Sequence, residues 1–412
     1  MGRNKSNFVD LCQGDFGRKT AYTGVAQITT ENVVQVLSDT IGTHNRNRMM
    51  INYLYRYYKG DQPILYREKL VRPEVNNRVV ENHALEVVKF KAGQIYGEPI
   101  QYVCKKKKAD KKINEQVDLL NDYLDEANAD ARNIQLGIYQ SAVGTAYKAI
   151  LREDDWTKDR DLPPFRIFIP YPGDVYIVYS RNTGKAMLSV QILKDEENQQ
   201  YYLCYSSNQY FKIKNGQVTV SGINGFGGIP IIEYPNNHDR LSDVEIAITA
   251  FDAINKYQSD RLNGVEQFVQ AFMKFKNCEV DENEFLKMVK LGAISVKDAG
   301  NGVQSDVDLM TAELNQSESQ VAKDDIYNNM LIVEAMPNRQ SNTGGDTGNA
   351  VYLRNGWDFA ERDAKLVEAF TKEAEKASVR IILNIIRKTS NDVKISTRDF
   401  DVKITRNPTD NM

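Results

Sequence analysis

Chemistry at neutral pH needs side chains that move a proton, hold a metal or attack an electrophile, and this chain offers few of them. The only histidines are His44, His83 and His238, and no two share the short helical spacing of a metal-binding or base-bearing segment. Cys12, Cys104, Cys204 and Cys278 lie far apart with no CxxC pair, which argues against a zinc ribbon or redox centre and fits reduced thiols used for packing. Gly344-Gly345-Asp346-Thr347-Gly348 precedes a helical stretch as a phosphate-cradling loop would. However, no lysine follows the glycines to reach a terminal phosphate, and no strand leads in. Gly222, Gly225, Gly227 and Gly228 lead into the strand-like residues 229–234, so they read as a turn and not as a dinucleotide fingerprint. Residues 298–308 hold carboxylates and glycines without the terminal glutamate of a calcium loop. The expectation is a protein with no catalytic set, no metal and no cofactor.

Composition points to other kinds of work. With 412 residues, 41% of them hydrophobic and 26% charged, the chain is long enough for two or more cores. Its 53 basic and 56 acidic residues leave a formal charge of −3, which disfavours tight duplex binding but suits a surface past which a duplex must slide. No eighteen apolar residues run together and the start lacks a signal-peptide pattern, so neither a membrane span nor export is expected.

The elements follow from periodicity. Residues 1–40 read as an N-terminal arm, with a pattern at 32–37 that allows one helical turn or more. Met49, Met50, Tyr53, Leu54, Tyr57 and Tyr58 predict a first helix over 45–59. A second helix is predicted over 78–96, closed by Gly97 in a left-handed conformation, and the strand 99–104 follows. The lysines at 105–108, 111 and 112 read as a solvated turn rather than a nucleic-acid contact. Helices at 113–127 and 129–143 precede strands at 165–169, 175–179, 187–193, 200–205 and 210–214. Asn215-Gly216 then makes a hairpin turn into 218–220, completing an antiparallel meander.

The second half is dominated by helices. Ser242-x-x-Glu245 is a capping box, and Val244, Ala247, Phe251, Ile254, Leu262, Val265, Phe268, Val269 and Phe272 predict a helix of roughly 45 Å. A small unit over 274–309 is expected to hold a short helix at 282–289 and a strand at 293–296. A mostly polar helix over 311–335, a glycine-bearing loop over 337–349 and a helix over 350–388, with a bend near Gly356, come next. Strands at 393–396 and 402–405 finish the chain. Two long helices flanking an insert this small cannot be covered at their far end by a core of their own. Copies of the chain in a closing head-to-tail array would cover them, and so would packing of the hairpin as an arm on the main body.

At residues 228–277 the sequence GIPIIEYPNNHDRLSDVEIAITAFDAINKYQSDRLNGVEQFVQAFMKFKN resembles the signature stretch of portal proteins from siphophages of Gram-positive hosts. Tyr57-Tyr58-Lys59-Gly60, Asn76-Asn77-Arg78, Tyr96-Gly97-Glu98-Pro99-Ile100 and Arg406-Asn407-Pro408 occur in the order found in that family, so the resemblance covers about 45–410. It implies a ring-forming portal fold of the α+β class: a mixed wing with antiparallel strands (41–241), stem helices (242–272 and 311–336), a small α/β clip (273–310), a tunnel loop (337–349) and a long wing helix with terminal strands (350–412). It further implies a dodecameric ring in the virion at one capsid vertex, assembled in the host cytoplasm. Double-stranded DNA would pass through the ring during packaging and ejection, and terminase, a head-completion protein, major capsid protein and scaffold would be its partners. The implied DNA-facing residues are Asn338, Arg339, Gln340, Ser341, Asn342, Thr343, Gly344, Gly345, Asp346 and Thr347. The implied partner-docking residues are Asp281, Glu282, Glu284, Lys287 and Lys290. Such portals continue into a helical crown beyond the Arg-Asn-Pro segment, and with Met412 last the crown is expected to be absent or truncated. A connector or capsid-interior protein without a DNA channel is the other reading.

Overall fold

The computed structural model describes residue 8 and residues 14–70, 73–105, 111–153, 156–157, 162–269, 272–276, 281, 283, 306–310, 316–338 and 356–406. It divides into two compact units, the first comprising Met1–Pro63, Asn82–Phe251 and Asn328–Met412, the second Ile64–Glu81 and Asp252–Tyr327.

In the first unit, helix α1 (Val33–Tyr58) buries Val33, Val36, Leu37, Thr40, His44, Asn47, Ile51, Leu54 and Tyr57 at steps of three and four. The predicted helix started near residue 45, and the structure corrects this because the buried stripe continues upstream through polar residues. Thr40 Oγ1 donates to Val36 O at 2.7 Å, and His44 stacks on Tyr176 with ring centroids 4.5 Å apart. Some of the residues read as an arm also join the core. Strand β1 (Ala21–Thr23) lies parallel to Val178–Ser180, and buried Arg18 pairs with buried Glu245.

The meander has the strand order and antiparallel pairing predicted. Let β2 be Gln101–Cys104, β3 Thr145–Arg152, β4 Phe165–Phe168, β5 Val175–Ser180, β6 Ala186–Lys194, β7 Gln200–Tyr205, β8 Gln209–Lys214, β9 Gln217–Ile223 and β10 Ile231–Pro235. One sheet then runs β1-β5-β6-β7-β8-β9, antiparallel from β5 onward, and a second runs β10-β3-β4. Val33, Val36 and Leu37 of α1 share a core with Val178, Leu188, Val190, Phe211 and Ile213 of the first sheet.

A larger core joins the second sheet to helices α2 (His83–Tyr96), α3 (Lys111–Glu126) and α4 (Ala129–Val143), together with the C-terminal helix Trp357–Lys388. Gly97 closes α2 at φ −69°, not in the left-handed conformation expected. Left-handed geometry is used instead at Gly144, which ends α4 at φ 86°, where a Cβ would stand 2.0 Å from the Arg240 carbonyl oxygen. Gly144 turns the chain directly into β3, a strand absent from the sequence reading. Six of its eight residues, Lys148 included, are buried. Lys148 Nζ lies 2.8 Å from each carboxylate oxygen of Glu375, which also accepts from Tyr102 Oη at 2.8 Å and from Tyr234 Oη. Both members of the ion pair are about 97–98% buried at the side chain.

Strand β2 pairs antiparallel with the last strand, Phe400–Lys403. Residues 393–396, predicted as a strand, are irregular; Val393 and Ile395 still alternate into the core, but the segment has no strand neighbour. The second unit holds most of helix α5 (Asp243–Val269) and the hairpin β11 (Phe272–Lys276) with β12 (Asp306–Met310), in register from Phe272↔Met310 to Lys276↔Asp306. It also holds most of α6 (Gln316–Val333). Helix α5 therefore stops before Phe272, a residue the helical period had included. The remaining helix, α7 (Trp357–Lys388), is described from its N-cap at Gly356, φ 84°; residues 350–355 of the predicted helix lie outside the described residues. The final strand becomes β13 (Phe400–Lys403). The short helix at 282–289 and the strand at 293–296 lie outside the described residues.

Candidate functional site

Three features bear on function: the helices of the second unit, the described residues on either side of 339–355, and the residues with chemical potential elsewhere.

The hairpin is organised by polar contacts. Asn255, Ser259 and Asn263 lie at every fourth residue of α5 and are all buried, in a helix otherwise patterned by apolar residues. Their side chains accept the backbone N–H groups of Glu81, Val79 and Asn77 at 2.8, 2.9 and 2.7 Å. The segment 77–81 is thus held along the helix as an extended strap, its alternate amides satisfied by a row of side chains instead of a neighbouring strand. This explains why the predicted helix over 78–96 begins five residues late. Arg67 adds an ion pair to Asp260 at 2.7 Å. Helix α6, polar on almost every face in the sequence, finds polar partners: Lys323 bonds Glu81 at 2.6 Å and Arg261 bonds Gln320 at 2.5 Å. Several apolar side chains of this unit remain outside its core, with Val321 68%, Leu262 41%, Val265 41% and Tyr257 40% exposed.

At the end of α6 the chain turns through Ala335, at φ 49°, while Asn338 donates to Asn328 at 3.1 Å. It resumes at Gly356, whose Cβ position is 3.9 Å from both Met336 O and Pro337 Cα, so the two ends of the intervening segment are brought together. A cluster of charge sits behind this closure. Lys91 pairs with Asp363 at 2.6 Å, and Asp243 accepts from Ser141 at 2.5 Å and Asn236 at 2.9 Å. Glu334 is 2% exposed, and its Oε1 has no hydrogen-bond partner. Burial raises the carboxyl pKa of Glu334 well above its ordinary value, and the nearby charge of Asp243 adds to this. Burial likewise raises that of Asp243. Burial alone would lower the Lys91 pKa, but Asp243, Asp363 and Glu334 outweigh it and hold the ammonium charged.

Of the residues proposed to face DNA, Asn338 is at the root just described. Arg339, Gln340, Ser341, Asn342, Thr343, Gly344, Gly345, Asp346 and Thr347 lie outside the described residues. Of the docking set, Asp281 is exposed and accepts from Asn283 at 3.4 Å, while Glu282, Glu284, Lys287 and Lys290 lie outside the described residues. Sequence reasoning passed over Asn255, Ser259 and Asn263, although a polar residue at every fourth position of an apolar helix was a readable signal. It passed over Lys148 and Glu375 too, for which no local signal exists.

The reactive residues are placed for packing. His44 Nε2 donates to Gly173 O at 2.9 Å, and burial lowers its pKa to about 4, so it is neutral at physiological pH. Burial pushes the Cys204 thiol up to about 12. His83 contacts Glu86 at 2.9 Å. Among the described residues no three His, Cys, Asp or Glu side chains are grouped to hold a metal ion, and no helix is long and apolar enough to cross a membrane.

The described residues form a mixed chain of helices and sheets. Residues 37–412 match the family described as phage portal proteins, SPP1 Gp6-like, and the chain belongs to that family. The portal protein of Bacillus phage SPP1 is 23% identical over 329 residues, which cover 72% of this chain and 60% of that protein. The chain thus spans three fifths of the length of this curated relative. Two solved chains share part of the trace. One, from the virion of a native gene transfer agent particle, has TM-score 0.45 and 10% identity and covers 88% of this chain and 84% of its own. The other, from the neck of an empty gene transfer agent particle computed with C6 symmetry, has TM-score 0.46, 11% identity and coverage of 80% and 81%.

Proposed function

We propose that the chain is the repeating subunit of a ring-shaped DNA channel at one capsid vertex and has no bond-making chemistry of its own. Family membership across residues 37–412 carries this reading. The second unit supports it: Tyr257, Leu262, Val265 and Val321 are left uncovered within one chain, as expected of a surface that closes against copies. In this reading the first unit is the wing, α5 and α6 are the stem helices, and the hairpin β11–β12 is the base of the clip. The segment between Asn338 and Gly356 contains the tunnel loop. The ring would be dodecameric, with terminase and then a head-completion protein docking at the clip, and with major capsid protein and scaffold around the wing. The near-neutral charge balance suits a channel that must release the duplex it conducts.

Native mass measurement with negative-stain electron microscopy of the purified chain tests this directly. Closed rings with a central hole are expected. Compact one- or two-chain particles at every concentration, together with absence of the protein from capsid fractions, would overturn it. Closed assemblies without a pore would point to a connector or capsid-interior component instead.

A further inference from the structure

Asn-Gly occurs five times in the chain, and the pairs at 215–216, 224–225 and 263–264 lie wholly within the described residues. Such a pair can react with itself, because the backbone nitrogen of a glycine, unhindered by a Cβ, can reach the side-chain carbonyl carbon of the preceding asparagine. The fold treats the three pairs differently. Asn224 is 6% exposed; its Nδ2 donates to Ser206 O at 2.6 Å and Gly228 O at 2.8 Å, and its Oδ1 accepts from the Phe226 N–H at 3.0 Å. Asn263 is 3% exposed; its Oδ1 accepts from the Asn77 N–H at 2.7 Å and its Nδ2 donates to Asp260 at 3.3 Å. Gly264 stands inside α5, where its N–H is committed to the helix. Both side-chain amides are therefore held in place and shielded from water.

Asn215 has none of these restraints. It is exposed at the tip of the β8–β9 turn, no hydrogen bond holds its side chain among the described residues, and a Cβ on Gly216 would meet nothing within 4 Å. The turn is closed by φ 52° at Asn215 and 74° at Gly216, so the reaction needs the Asn215 backbone to rotate out of the closed turn. Little opposes that rotation. Strand β9 is an edge strand whose sheet neighbour is β8, and its register with β8 already shifts between Lys212 and Ile213.

We propose that Asn215 is a site of spontaneous deamidation, and that its products divide into one that keeps β9 in the sheet and one that releases it. Hydroxide takes the Gly216 N–H proton, the nitrogen bonds to Asn215 Cγ, and the side-chain nitrogen leaves as ammonia, closing a cyclic imide. Water then opens the ring, so that overall water is consumed and ammonia released. Cleavage at Cγ gives aspartate with the ordinary main chain, and aspartate also tolerates a left-handed turn. Cleavage at the Asn215 backbone carbonyl gives isoaspartate, whose main chain runs through Cβ and Cγ and is longer by a methylene. Gln217 can then no longer oppose Lys214, and the pairing of Gln217–Ile223 with β8 is lost. The inference is independent of ring formation and of the DNA channel.

The full chain, folded and separately in urea, is held in mildly alkaline buffer and mapped by mass spectrometry over time, with electron-transfer fragmentation to tell isoaspartate from aspartate. In the folded chain Asn215 should convert at least about tenfold faster than Asn224 or Asn263, which react only when their surroundings open, whereas in urea the three rates should converge. The Asn215 rate should rise with hydroxide concentration. Isoaspartyl chains should show quickened amide exchange at 217–223, while Asn215→Asp should exchange there as the parent does. Conversion of Asn224 or Asn263 as fast as Asn215 in the folded chain would overturn the proposal. So would an Asn215 that stays intact when folded yet converts in urea, or unchanged exchange at 217–223 in isoaspartyl chains.

Discussion

Removing the carboxylate of Glu375 should destabilise the first unit more than any surface change. Lys148 and Glu375 are almost wholly enclosed, the ammonium lies 2.8 Å from both carboxylate oxygens, and two tyrosines donate to the same group. Glu375→Gln keeps the volume but leaves a buried ammonium without its counter-charge. Breaking such a pair from one side costs about 3–5 kcal/mol. At about 1.5 °C per kcal/mol for a unit of this size, the melting temperature should fall by roughly 4–8 °C. Lys148→Met should cost a similar amount, since it strands the carboxylate. The double replacement Lys148→Met with Glu375→Leu removes both charges, and should recover most of the loss because the desolvation penalty of both ions disappears. Calorimetry and urea unfolding of the four proteins would measure the coupling. If the double variant lost the sum of the two single losses, the pair would not act as a unit and the electrostatic reasoning would fail.

Three further outcomes follow from local geometry. Ser259→Ala and Asn263→Ala should each cost about 1–3 kcal/mol by orphaning the amides of Val79 and Asn77, with amide exchange quickening at 77–81 before the rest of the chain. Gly144→Ala should destabilise strongly and lower soluble yield, because the residue needs φ 86° and a Cβ there would meet the Arg240 carbonyl at 2.0 Å, a clash the α4–β3 turn cannot relieve locally. Glu334→Gln should stabilise the protein at neutral pH. A carboxyl whose folded-state pKa lies above the unfolded 4.5 binds its proton more tightly when folded, so its contribution is fully favourable below about pH 4.5 and is lost as pH rises toward the folded value. Unfolding measured from pH 4.5 to 8 should show the variant's advantage growing with pH; a constant difference would refute it.

Much of the architecture was legible because local pattern and final packing agree. The meander β5–β9 follows alternating Tyr, Val and Ile with Asn215-Gly216 at its turn, and α5 follows its capping box, with Ser242 N–H donating to Glu245 at 2.7 Å. Where the reading failed, polar residues were doing core work. Thr40 and His44 continue the buried face of α1 upstream of the predicted start. Lys148 disguised β3, since its partner Glu375 lies 227 residues away. Arg78 to Glu81 look helical in isolation but are drawn out by α5. For the candidate site the sequence offered family-level expectation for loop and clip residues, most of which lie outside the described residues.

The strap on α5 also sets a limit on length. Four residues of helix advance about 6.0 Å, whereas two residues of extended chain advance about 6.4–6.8 Å. Each further rung of such a ladder therefore falls out of step by roughly half an ångström or more. Three rungs, centred on Ser259, spread that error within the tolerance of a hydrogen bond; a fourth or fifth would exceed it unless the strap pleated more deeply. The pairing of helix row and strand thus works as a vernier: it fixes one alignment of 77–81 on 255–263 and rejects neighbouring ones. A single-residue insertion in the strap would put the amides on one side of it out of step with those on the other, so the three rungs could not all form.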